Sequence, residues 1–187
     1  MIFAEHLHRR QTRKSTATPY ISHPLAVASL VLEAGGSEDE AIAALLHDVI
    51  EDCGDQYPGG RPALRQSIRN RFGDAVLNIV NQCTDDDEFP KHAWKARKQA
   101  YLRRLEEAGA EVLRVACADK LHNARASLAD CRRGGVSIWR RLGARSLEDQ
   151  FWYYDSLLRI FHSRGAGWLV VELDAVVREW KAMSRRG

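Results

Sequence analysis

AlaAlaLeuLeuHisAspValIleGluAsp, residues 43–52, carries His47 and Asp48 at the end of an apolar helical run. Just upstream, Ser37 followed by Glu40 forms a capping-box pattern, and Glu38 and Asp39 add negative charge where a helix N-terminus favours it. The spacing predicts a helix over 38–52, with Ile42, Leu45, Leu46, Val49 and Ile50 recurring at three and four residues as a buried stripe. A His and an Asp on such a helix are costly to bury unless something pairs with them. Adjacent residues diverge by about 100° around a helix, so both reach one partner only where the helix bends. Any further partners must come from other helices.

The same period recurs outward from this stretch. Leu64 and Ile68 suit a short helix ending near Gly73, and Val76, Leu77 and Val80 suit the next. All five prolines lie at or before Pro90, which leaves the second half free for long helices. Trp94, Tyr101, Leu102 and Leu105 mark one, and Val112, Val115, Ala116 and Leu121 another. Phe151, Tyr154, Leu158 and Phe161 form a third stripe, and Trp168, Val171, Leu173, Val176, Val177 and Trp180 a last one. No alternating run specifies a sheet, and no repeat or low-complexity tract is visible. The expected fold is all-α, a helical bundle, in one domain spanning 1–187.

Two other places carry the same residue types. His23 lies in TyrIleSerHisProLeuAlaVal (20–27), and Asp119 in AlaAspLysLeuHisAsn (118–123), inside a strongly apolar helix. Imidazole nitrogen and carboxylate oxygen together suit a borderline-to-hard divalent ion, and two of each leave positions open for water and a phosphate oxygen. His23, His47, Asp48 and Asp119 are therefore the candidate metal ligands. The other readings are a structural polar pair for His47 and Asp48, and for His23 a helix-entry imidazole packed on backbone.

The order His, HisAsp, Asp resembles the HD-domain phosphohydrolases. The three blocks quoted above are similar to the hydrolase domain of the Rel/SpoT-type alarmone enzymes, as are Arg13-Lys14 and Phe72-Gly73 in their positions. The similarity runs from about His8 to Asp130, with 131–187 expected as C-terminal helices completing the core, and the chain resembles a small, hydrolase-only form. What the resemblance implies is an HD fold and removal of the 3′-pyrophosphate from ppGpp or pppGpp with one Mn²⁺ held by the four ligands. Glu51 and Asp52, one turn after the ligand pair, would serve the attacking water, with the choice between them open. Arg13 and Lys14 would contact the phosphates or the base, and Asn123 would face the nucleotide. Lys120, His122 and Arg125 are weaker candidates, because a basic stripe is commonly a solvated face. The acidic run at 85–87 reads as a hydrated loop. Arg10 where the family has Gly, a longer loop before Tyr20, and Ala126 in place of a polar residue are departures around the base pocket.

Composition sets the outer limits. An apolar fraction of 45% and a charged fraction of 28% suit a globular protein with a sizeable core. A net charge of +3 with no concentrated basic run is a poor footprint for nucleic acid, so the expected partner is a small nucleotide. Cys53, Cys83, Cys117 and Cys131 form no CxxC pair and read as reduced thiols, and no apolar run approaches the about 18 residues of a membrane span. The expectation is a cytoplasmic enzyme with a homo-oligomer left open. The alternatives are another nucleotide substrate (an adenosine alarmone, the 2′-phosphate of NADPH, a dNTP) and a module that senses a nucleotide without hydrolysing it.

Overall fold

The structure, a computed structural model, describes residues 1–13, 16–84, 93–134 and 146–184. Within them the chain forms α1 (Ile2–His8), α2 (Ser22–Glu33), α3 (Glu38–Leu46), α4 (Val49–Cys53), α5 (Gly60–Cys83), α6 (Trp94–Glu107), α7 (Ala110–Gly134), α8 (Leu147–Arg164) and α9 (Gly167–Ser184). No strand occurs among the described residues, only an isolated bridge between Thr12 and Pro19. The all-α expectation holds. The acidic run at 85–87 and Lys14 fall outside the described residues.

The helix expected over 38–52 is two helices. Its start is as read, with the Ser37 side chain accepting a hydrogen bond from the Glu40 amide at 3.3 Å. It stops at Leu46, and Asp48 adopts φ −99°, ψ −8° before α4 begins. The bend that lets two adjacent side chains face one point is thus built into the backbone at the His-Asp pair itself. The break expected near Gly73 is also present, as a kink inside α5 where Gly73 takes φ 88°, ψ 173°, a conformation open to a residue without Cβ.

Helix α7 occupies the middle of the fold. Val112, Leu113, Val115, Ala116, Cys117, Ala118, Leu121, Ala124 and Leu128 are all buried, and α2, α3, α5, α8 and α9 pack around it. With buried residues on nearly every face, such a helix is covered by neighbours all round. Glu40 of α3 bonds to Arg114 of α7, fixing these two helices relative to each other. In α9 the buried stripe is Leu169, Val170, Leu173, Val177 and Trp180, whereas Trp168 and Val171, expected on it, are exposed. The helix begins at Gly167, so Trp168 sits at the frayed first turn, and Val171 falls on the solvent side of the face set by Leu173 and Trp180.

Trp180 closes the C-terminal part of the core, 1% exposed and edge-on to Phe151 at 5.3 Å and Tyr154 at 5.2 Å. Replacing it with Ala is expected to cost about 3–5 kcal/mol of stability, since the cavity adds to the lost burial. Equilibrium denaturant unfolding checks this through a lower midpoint.

Candidate metal centre

Seven polar or charged side chains are buried among the described residues, and three of them, His23, His47 and Asp119, meet at one point. Their donor atoms lie within 4.8 Å of one another. His23 Nε2 is 3.1 Å from Asp119 Oδ1 and 3.5 Å from Asp48 Oδ2, and His47 Nε2 is 3.0 Å from Asp48 Oδ2 and 3.6 Å from Asp119 Oδ1. The structure therefore brings together all four residues singled out in the sequence, from α2, the α3–α4 turn and α7.

Local structure explains each placement. His23 lies in the first turn of α2, where Pro24 is tolerated because the amide it lacks would have no helical partner. His47 ends α3, and Asp48 is aimed by the bend that follows. Asp119 projects from the centre of α7.

Each of the four side chains also has a hydrogen-bond partner outside the group. His47 Nδ1 lies 2.8 Å from the Ala44 carbonyl oxygen, which can only accept, so Nδ1 carries a proton and Nε2 is the ring atom turned toward the two carboxylates. His23 Nδ1 pairs with His122 Nδ1 at 2.7 Å. The Tyr20 hydroxyl donates to Asp48 Oδ2 at 2.5 Å. Asp119 accepts from Lys120 Nζ at 2.5 Å on Oδ2 and from Asn123 Nδ2 at 2.6 Å on Oδ1.

The electrostatics match this arrangement. Burial disfavours charge on Asp48, but His47 and His23 outweigh it and hold the carboxyl well below its usual range. Burial likewise opposes charge on Asp119, and Lys120 with the two imidazoles outweighs it. His47 is driven up by Asp48 and Asp119 against its own burial. His122 is pushed down to about 4 by burial and by the neighbouring His23 and Arg13, and so stays neutral. Two carboxylates facing two imidazole nitrogens in the protein interior form a donor set that fits a divalent cation.

A family model described as HD domain matches residues 1–147. The chain belongs to the HD-domain family. It is 38% identical over 141 residues to the guanosine-3′,5′-bis(diphosphate) 3′-pyrophosphohydrolase MESH1 of Xenopus tropicalis, covering 74% of this chain and 72% of that one. The human protein of the same name is 34% identical with the same coverage. A solved structure of a metazoan ortholog of SpoT that hydrolyzes ppGpp superposes with a TM-score of 0.74 at 26% identity, covering 95% of this chain and 91% of that one. Membership of the HD-domain family implies a divalent metal, in keeping with the donor set.

Around the centre of this HD domain the other residues sort themselves differently. Arg13 Nη2 donates to Asn123 Oδ1 at 3.1 Å, so Asn123 bridges Arg13 and Asp119 through its two ends. Glu51 and Asp52 are exposed, and the Asp52 amide bonds to the Asp48 carbonyl at 2.9 Å, which keeps Asp52 one turn along. The surrounding protein, together with the charges of Asp48 and Glu51, pushes the Asp52 carboxyl up to about 6.

The basic stripe on α7 is not uniformly solvated. Arg125 is, paired at the surface with Glu172, but the Lys120 side chain is only 15% exposed. Its ammonium lies 5.2 Å from the Tyr101 ring of α6, with Tyr153 of α8 close enough to favour its charge. Of the aromatic run at 152–154, Tyr153 and Tyr154 are buried in the core. Tyr20 and Tyr101 had no assigned role in the sequence. Tyr101 falls on a core-spaced stripe, and nothing in its spacing marks it as a neighbour of α7.

Glu51 acts on Asp52 by charge. In the metal-free protein the Asp52 carboxyl is expected to titrate near 6, and Glu51→Gln should lower that value because a nearby negative charge is removed. Side-chain carboxyl NMR across pH 4–8 checks both, and a Glu51→Gln protein with an unchanged Asp52 titration would contradict the coupling.

Proposed function

We propose that this protein hydrolyses the 3′-pyrophosphate of a guanosine alarmone, converting ppGpp or pppGpp and water to GDP or GTP and pyrophosphate. The observation that carries the reading is the convergence of His23, His47, Asp48 and Asp119 near Asp52, in a chain 34–38% identical to relatives named for this reaction. In the proposal these four residues hold one Mn²⁺, residues 1–187 act as one domain, and the enzyme works in the cytoplasm. A divalent ion bound there supplies Lewis-acid polarisation of a phosphoryl oxygen and acidifies a water.

The chain's own residues do the rest. The water oxygen bonds to the phosphorus attached to the ribose 3′ oxygen, the bond between that phosphorus and O3′ breaks, and O3′ leaves with a proton. Asp52, with Glu51, accepts the water proton and returns it to the leaving oxygen. A carboxyl near 6 suits a group that takes and gives a proton close to neutrality. Arg13 presents a planar fork of donors suited to phosphate, already anchored at the cleft by Asn123. Lys14 takes a similar role by its position next to Arg13.

The substitutions separate these roles. His47→Ala and Asp48→Ala are expected to lose both bound metal and activity, as chelator does to the intact protein. Glu51→Gln and Asp52→Asn should keep the metal, and the one that moves the proton should lower kcat by about 10²–10⁴. Elemental analysis beside steady-state kinetics reads the split, and metal lost from Asp52→Asn would place Asp52 among the ligands.

The products test the substrate. Chromatography of a ppGpp reaction should show GDP and intact pyrophosphate, whereas NADPH hydrolysis would give NADH and phosphate. Cleavage of NADPH or a dNTP at enzyme levels that leave ppGpp whole would overturn the alarmone assignment and keep the hydrolase.

A further inference from the structure

Tyr20 stands where the two halves of the site touch. The short loop after α1 closes on itself through two backbone hydrogen bonds, Arg13 amide to Thr18 carbonyl and Tyr20 amide to Gln11 carbonyl, both 2.9 Å. That closure brings Arg13 over the Tyr20 ring, with the guanidinium carbon 5.9 Å from the ring centroid. On another side the ring packs against His8, centroids 4.8 Å apart, and His8 is itself buried and bonded to Gln11 at 2.5 Å. The ring also stands edge-on to His23 at 5.8 Å. Its hydroxyl reaches past these contacts to donate to Asp48 Oδ2 at 2.5 Å. Tyr20 thus has a ring fixed by α1, the loop and α2, and a hydroxyl fixed on a carboxylate from the α3–α4 turn.

We infer that Tyr20 is a positioning residue with two separable parts, its hydroxyl orienting Asp48 for the metal and its ring forming the platform on which Arg13 meets the nucleotide phosphates. The inference rests on the metal reading given above. Asp48 lies in the turn between α3 and α4, where its side chain makes no capping hydrogen bond to the backbone. Of the contacts to Asp48, the phenol supplies the one donor that lies outside the ligand cluster. Hydrogen-bond partners that orient a ligand from outside the coordination sphere are worth about 10–100-fold in metal affinity. The ring acts by a different route, since a cation over an aromatic face is held without a hydrogen bond and keeps its donors for phosphate.

Tyr20→Phe removes the hydroxyl and keeps the ring, and Tyr20→Leu removes both. Mn²⁺ binding to the nucleotide-free proteins is measured by competition with a fluorescent chelator, and KM for ppGpp at saturating Mn²⁺ is measured alongside. Tyr20→Phe is expected to weaken Mn²⁺ about tenfold with KM unchanged, and Tyr20→Leu to weaken Mn²⁺ as much and raise KM as well. Thermal unfolding of each variant confirms that it is folded. Wild-type affinity for Mn²⁺ in a folded Tyr20→Phe protein would overturn the role of the hydroxyl. A KM raised equally in both variants would overturn the separation of hydroxyl and ring. Failure of the wild-type protein to bind Mn²⁺ at all would instead strike the metal reading beneath the inference.

Discussion

Asp119 sits in the middle of the most enclosed helix of the protein, and a carboxylate buried there must be compensated or expelled. The surrounding helices are arranged around that requirement. Lys120 and Asn123 satisfy it from the same helix, and His23 and His47 face it from α2 and α3. The second carboxylate, Asp48, adds a like charge to the same small volume. Two such charges persist side by side only with positive charge between or behind them, and the arrangement supplies both: imidazoles between, an ammonium behind Asp119.

The same constraint accounts for irregularities in the fold. Ending α3 at Leu46 gives up helical continuity so that two consecutive side chains can face one point. The ammonium of Lys120 is itself poorly hydrated, and the ring of Tyr101 stands in for some of the water it lacks. In this way α6 and α8, which contribute none of the four central residues, are tied to the centre through one lysine. Beside this buried centre Glu51 and Asp52 are exposed, and Arg13 reaches it through its hydrogen bond to Asn123.

Much of this was legible in the chain. Apolar residues at three and four residue spacings, the Ser37 cap and the absence of proline after Pro90 marked out the helices from α3 onward, because these signals act within one or two turns. His47 and Asp48 stood out because ionisable residues on a buried stripe need a reason, and the same logic found Asp119, whereas His23 stood out by the sequence block around it. Helix geometry alone requires a bend at His47 and Asp48 if both are to face one point.

What the sequence could not decide was which side chains meet across helices. Trp168 and Val171 carry the apolar character of a core stripe yet face solvent, because the phase of α9 is set by what α7 presents to it. Lys120 sits in a run of polar residues typical of a solvated face, and only the packing of α6 and α8 on α7 makes it a buried partner of Asp119. Tyr20 and Asp48 are 28 residues apart, and no local pattern links a phenol to a carboxylate over that distance. The sequence by itself determined the helices and the residues that must be compensated, since propensity and burial cost are local. The tertiary structure decided the compensating partners, since these depend on distances between separate helices.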